Sequence, residues 1–126
     1  MIRALVACAA ACALAACPSF HPAPLAGAPA GATFVDVDGV HVHYREMGSG
    51  PAVVLIHGYG ASLESWAGVM PAIAGTHRVI AVDLKGFGWS SRPEGDYSPA
   101  AQAAMVWGVL DIVNLTGKEK RMPYEL

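Results

Sequence analysis

Apolar and polar residues alternate one by one through Phe34-Val35-Asp36-Val37-Asp38, Asp38-Gly39 is a hairpin-turn pair, and Val40-His41-Val42-His43-Tyr44 alternates again. A period of two on either side of such a pair predicts a β-hairpin. Met47-Gly48-Ser49-Gly50-Pro51 interrupts the pattern, after which Ala52-Val53-Val54-Leu55-Ile56 is apolar at every position. Such a run suits a strand buried on both faces of a sheet. His57-Gly58-Tyr59-Gly60 follows, and Ser62 is placed to cap a helix with Leu63, Trp66, Val69, Met70 and Ile73 at helical spacing, closed by Gly75. Val79-Ile80-Ala81-Val82 is a second buried-strand run. Strand, helix and strand make a βαβ unit with parallel strands, so the fold class is α/β.

Residues 83–97 form a long loop rich in Gly, Ser and Pro, and Ser98-Pro99 offers an N-cap with proline at the first helical position. Ala103, Val106, Trp107, Leu110 and Val113 mark the apolar face of a second helix that ends near Gly117. Residues 118–126 are a charged tail without a further strand, and the chain has no internal repeat.

The amino-terminal stretch is not part of this fold. Arg3 precedes an unbroken small and apolar run, and Leu14-Ala15-Ala16-Cys17 follows as a small-residue processing site. The run is too short to span a bilayer as a helix. Leu-Ala-Ala-Cys resembles the lipobox of bacterial lipoproteins, which implies a signal peptide over residues 1–16 and acylation of Cys17. An ordinary secretory signal cut nearby, or a start codon placed ahead of a cytosolic protein, would leave the same residues. Cys8, Cys12 and Cys17 are the only three cysteines, so the folded part holds no disulfide framework and no cysteine metal site. Residues 17–33 carry Pro18, Pro22, Pro24 and Pro29 among Ala and Gly and read as a tether. The domain then runs over residues 34–117.

A formal net charge of −2 with scattered signs leaves no basic patch, which argues against a nucleic-acid partner. The hydrophobic fraction of 54% is raised by the leader and does not signal a membrane domain.

Two blocks carry the candidate chemistry: Val53-Val54-Leu55-Ile56-His57-Gly58-Tyr59-Gly60-Ala61-Ser62, and Val82-Asp83-Leu84-Lys85-Gly86-Phe87-Gly88-Trp89-Ser90-Ser91-Arg92-Pro93. Together with Tyr44-Arg45-Glu46, Gly48-Ser49-Gly50-Pro51 and Gly95-Asp96-Tyr97-Ser98-Pro99, they resemble the amino-terminal half of α/β-hydrolases. The likeness covers the chain from about Val35 to Thr116. Nucleotide readings fail, because Gly58-Tyr59-Gly60 lacks the third glycine of a dinucleotide fingerprint and no lysine follows a glycine run. The resemblance implies that Tyr59 supplies a main-chain N–H to an oxyanion hole, with Gly58 and Gly60 shaping the loop. It implies no cofactor, an ester-like small-molecule substrate, and a structural role for His57, since the family's catalytic histidine lies near the carboxyl terminus. His41 and His43 share a strand face and could chelate a metal, but a solvent-facing strand edge is the preferred reading, and no metal site is expected. Asp83 reads as a turn former whose carboxylate bonds nearby backbone.

The family's nucleophile stands on a Gly-x-Ser-x-Gly elbow, and these residues contain none. Gly88-Trp89-Ser90-Ser91-Arg92 lacks the closing glycine, and Gly48-Ser49-Gly50 precedes a strand. The expected architecture is therefore a partial hydrolase sheet that stops before the elbow strand, leaving the 52–56 strand as an edge. A truncated gene, a frameshift or a partial gene model would each give this pattern. Two functions follow. One is a serine-esterase-type hydrolase, active in a full-length form on ester or related acyl bonds, with aspartate-elbow dehalogenases and epoxide hydrolases and the cofactor-free peroxidases as family variants. The other is a non-catalytic, membrane-tethered lipoprotein fragment or interaction module. Reading the DNA beyond Leu126 in all three frames for the elbow separates them.

If Cys17 carries acyl chains, each buried methylene adds about 0.8 kcal/mol of membrane affinity, and the chain is exported and held on the bacterial envelope. The wild-type chain is then expected in the detergent phase after fractionation and Cys17→Ser in the aqueous phase. Identical partitioning of the two rules out the anchor.

Overall fold

The computed structural model describes residues 25–115. Cys17 and the 118–126 tail lie outside them. Strands β1 (Thr33–Val37) and β2 (Val40–Met47) form the expected hairpin. Asp38 and Gly39 take φ of 49° and 80° at its turn, the paired left-handed geometry that matches the twist of the flanking strands and favours an Asp-Gly pair. β3 (Ala52–Ile56) and β4 (Arg78–Val82) pair in parallel, while β2 and β4 pair antiparallel, giving the order β1-β2-β4-β3.

β4 is one of the two interior strands and alternates its side chains between two cores. Ile80 and Val82 join Val37, Val40 and Val42 against the helix α2 (Pro99–Ile112), while Val79 and Ala81 pack with Leu63 and Met70 on the opposite face. A mixed sheet with helical cover on both faces is the α/β layering expected from the sequence. No helix among the described residues is long and apolar enough to cross a membrane.

Three expectations need correction. The single helix from Ser62 to Gly75 is instead a 3₁₀ turn, Leu63–Trp66, and a short helix α1, Met70–Ala74. Pro71 has no N–H to give to the preceding turn and Gly68 favours an open backbone, so the periodic apolar face does not suffice to keep one helix. Ser62 does cap the first piece, its side chain accepting from Glu64 N–H, but Gly75 stays right-handed at φ −61°.

The face of α2 is also rotated. Met105, Val106, Val109 and Leu110 are buried, whereas Ala103 is exposed and Trp107 is 42% exposed. Residues 103–110 hold no charged side chain, so spacing alone does not select a face. Contact decides it: a Cβ at Gly108 would stand 2.3 Å from Val37 Cγ1, so the helix packs on β1 at its glycine. The helix ends at Ile112, with Asn114 left-handed at φ 58°, and not near Gly117. Arg78 reaches across from β4 to donate to Val113 O at 2.7 Å and to Glu46 Oε1 at 2.6 Å. That places a cation on the carbonyl end of the helix, where the dipole favours it.

Third, β3 is not buried on both faces. Its ends are exposed and Val53, Val54 and Leu55 are half-buried, because β3 pairs only with β4 and forms a sheet edge among the described residues. An apolar strand with unpaired backbone groups on one side recruits further strands. Residues 18–126 expressed alone are therefore expected to elute from size-exclusion chromatography as concentration-dependent oligomers, and Val53→Lys to shift them toward monomer. A wild-type monomer unfolding cooperatively with roughly 5–15 kcal/mol of stability would contradict this.

Candidate functional site at the carboxyl ends of β3 and β4

Parallel pairing brings the ends of β3 and β4 to the same rim, so the two sequence blocks, about 25 residues apart, meet there. In open α/β sheets this rim is where ligands bind. His57, the first residue after β3, is 4% exposed. Its Nε2 accepts the Leu84 N–H at 3.0 Å, and its Nδ1 lies 2.8 Å from Gly58 O. Because Leu84 N can only donate, Nε2 carries no proton, and the ring is the neutral Nδ1–H tautomer donating to Gly58 O. The expected structural role of this histidine is borne out in the geometry: it ties the two blocks together.

Residues 58–62 then arch over the rim. Ala61 N–H closes a turn on Gly58 O at 3.2 Å. The Tyr59 side chain is fully exposed, edge-on to Phe87 with ring centroids 5.8 Å apart, and Phe87 also meets the edge of His57. Among the described residues the Tyr59 N–H has no hydrogen-bond partner. Tyr59, Ile56, Leu84, Phe87, Tyr97 and Val106 contribute to the lining of a cavity of about 550 Å³ beneath this arch. Two of its polar members are occupied. Tyr97 OH donates to Pro93 O at 2.7 Å, and Gln102 exchanges two 3.0 Å bonds with the main chain of Lys85.

Asp83, the first residue after β4, is 1% exposed and bonds far more than nearby backbone. Oδ1 accepts Leu63 N–H at 2.7 Å; Oδ2 accepts His43 Nδ1 at 2.7 Å and Trp89 N–H at 2.9 Å. Burial pushes this carboxyl up, but the donors from His43, Leu63 and Trp89 outweigh it and hold the group below its ordinary range. Gly88 sits against the carboxylate at φ +50°, where a Cβ would fall 2.1 Å from Oδ2. Only glycine permits that approach.

The β2 histidines depart from expectation. They do share a face, His41 stacked on Phe34 and His43 tilted against it, but His43 is 3% exposed and sealed against Asp83, so its part of the strand is not a solvent edge. His41 pairs instead with Asp36 at 2.8 Å. The cover over His43 comes from Ser90 and Ser91. Ser90 Oγ accepts His43 N–H at 3.0 Å and donates to Asp83 O at 2.7 Å, while Ser91 exchanges two 2.9 Å bonds with the His41 main chain. Where β4 turns away after Asp83, this segment takes over hydrogen bonding to β2. Both serines are fully buried in that role.

A covered mixed sheet with paired loops at the carboxyl ends of its parallel strands defines an α/β protein whose site lies on that rim. A model of the alpha/beta hydrolase fold matches residues 51–121, and the chain belongs to this family. It is 39% identical over 88 residues to 2-hydroxy-6-oxo-6-(2'-aminophenyl)hexa-2,4-dienoic acid hydrolase of Metapseudomonas resinovorans, covering 68% of this chain and 30% of that protein. Fluoroacetate dehalogenase of a Burkholderia species is 36% identical over 88 residues, 68% of this chain and 29% of the relative. Bifunctional epoxide hydrolase 2 of Sus scrofa is 55% identical over 56 residues, 44% of this chain and 10% of the relative. Among solved structures, a meta-cleavage product hydrolase from Pseudomonas fluorescens IP01 superposes with a TM-score of 0.62 at 34% identity, over 65% of this chain and 32% of that one. The chain thus spans about a third or less of the length of the relatives it matches.

The pH dependence follows from Asp83. Its lowered proton affinity contributes stability that is fully present above the ordinary aspartate value of about 3.9 and is lost as the pH falls below it. Near-UV circular dichroism is expected to stay flat from neutral pH down to about 4 and to collapse below. Loss between about pH 7 and 6, the range of histidine titration, would contradict the assignment.

Proposed function

We propose that this chain carries the oxyanion-hole portion of a hydrolase of the serine-esterase type, acting in a longer form on ester or related acyl bonds. The observation that carries the reading is the Tyr59 main chain: its N–H has no hydrogen-bond partner among the described residues, and Tyr59 lines an apolar cavity on a loop held to the ends of both parallel strands. Hydrolysis of an acyl bond develops negative charge on the carbonyl oxygen, and a fixed N–H in a water-poor site stabilises it without reorganisation. Gly58 and Gly60 leave the loop backbone free of Cβ atoms beside that donor. Relatives that are a dienoic acid hydrolase, a dehalogenase and an epoxide hydrolase support hydrolytic chemistry in general.

A second reading of the chain itself rests on Leu14-Ala15-Ala16-Cys17 after an apolar run: a non-catalytic module tethered to the envelope through acylated Cys17. The two readings are compatible, since a donor without a nucleophile stabilises a charge that never forms.

The purified chain is expected to show no turnover of an activated aryl ester above a heat-treated control. Turnover that survives repurification and is abolished by a serine-directed phosphonate would overturn that, and would direct attention to Ser49, Ser62, Ser90 and Ser91. In a form that carries an elbow, Tyr59→Pro, which deletes the N–H, is expected to lower kcat by about 10²–10³, and Tyr59→Ala to leave it nearly unchanged. Equal losses would show that the ring, and not the main chain, matters.

A further inference from the structure

The proposed donor uses none of the buried acid at the end of β4, yet that acid is bonded to the loop that carries the donor. Residues 58–62 leave the sheet at His57 and rejoin the packed structure at Leu63, which is fully buried. Both junctions are held by consecutive residues of β4's continuation: His57 Nε2 by Leu84 N–H at 3.0 Å, and Leu63 N–H by Asp83 Oδ1 at 2.7 Å. Between the junctions the arch is held by local contacts: the Ala61 to Gly58 turn bond, the His57 ring on Gly58 O, the Ser62 cap of the 3₁₀ turn and the Tyr59 to Phe87 ring contact. The two clamps differ in kind. One is neutral at both partners, whereas the other is charge-assisted and so about twice as strong.

Asp83 cannot drift. His43 Nδ1 and Trp89 N–H fix its second oxygen, and Gly88 closes on the carboxylate so tightly that no larger residue fits there. The one titratable side chain facing the carboxylate is His43 from β2. The 3₁₀ turn presents the Leu63 amide and the glycine loop the Trp89 amide, while His57 faces Leu84, and Glu64 pairs outward with Arg45. The main-chain bonds that join this point to β2, Asp83 N–H to His43 O at 2.9 Å and Ser90 Oγ to Asp83 O, do not involve the carboxylate. Neutralising the carboxylate therefore acts on the bonds from Leu63, His43 and Trp89 and leaves the main-chain bonds between β2 and β4 in place.

We infer that Asp83 is a positioning residue for the oxyanion donor: oriented by His43, its ionised carboxylate latches the Leu63 end of the Tyr59 loop to the sheet, and its neutral form releases it. The functional meaning rests on the oxyanion reading of Tyr59; the latch does not. Asp83→Asn keeps the shape but puts an NH2 group in place of one of the two oxygens on which three donors converge, so at least one of them loses its acceptor.

The test is hydrogen–deuterium exchange on the full chain, with fragmentation that resolves Ala61 and Leu63 from Ile80 and Val82. At about pH 7, Asp83→Asn is expected to speed exchange at Ala61 and Leu63 by about tenfold or more while Ile80 and Val82 stay within about twofold. No acceleration at Leu63 overturns the latch. If the variant also loses protection in β4, the wild-type chain decides. Between about pH 7 and 3, corrected for intrinsic exchange, Leu63 must open before Ile80 and Val82 do. Simultaneous opening overturns the inference. A latch that holds while Tyr59→Pro leaves kcat intact would sink the oxyanion reading alone.

Discussion

The arrangement of this site depends on one buried carboxylate. Asp83 stands where β4 ends, and three donors from three segments converge on its two oxygens: a histidine from β2, the amide that starts the 3₁₀ turn after β3, and an amide of the glycine loop that follows β4. An ionised carboxylate out of water is costly unless its lone pairs are met. Here they are met by groups that each need an acceptor themselves, so the cost of burial is offset by bonds that also define where the loops go. Removing any one segment would leave a charge or an amide unsatisfied.

The sheet makes that convergence possible. β4 is one of the two interior strands, and its alternate side chains anchor both cores. The parallel pairing of β3 with β4 sends both exit loops to the same rim. The antiparallel β2 runs beside β4 and carries His43 to the point where β4 turns off. The Ser90-Ser91 segment then continues the hydrogen bonding to β2, which buries the histidine and completes the pocket around Asp83. Across the rim, His57 makes a matching neutral link, and the loop between the two links holds Tyr59 over an apolar cavity. The same rim that gives the fold its shape therefore presents the loop proposed to carry the oxyanion donor.

Much of this was legible in the residues themselves. The Asp38-Gly39 pair, the two apolar runs at 52–56 and 79–82, and the Ser98-Pro99 helix start depend on local conformational preference and on period, and each lies where those rules place it. The two glycine-bearing blocks pointed to a site only through their resemblance to the hydrolase family; local rules placed sharp turns there and nothing more.

What the chain alone did not determine are matters of contact between distant segments. Which face of α2 turns inward was undecidable from a stretch without charges; the close approach of Gly108 to Val37 decided it. The break of the first helix came from Pro71 and Gly68 prevailing over an apolar period that favoured continuity. Alternation placed His41 and His43 on one face, but only the return of a loop some 40 residues later made one of them a buried partner and left the other at the surface. Asp83 read locally as a turn former bonding nearby backbone, and its carboxylate does accept the Trp89 N–H. Its larger role required donors whose positions exist only once the sheet has brought them together, because hydrogen bonds depend on distance in space and sequence rules describe neighbours along the chain.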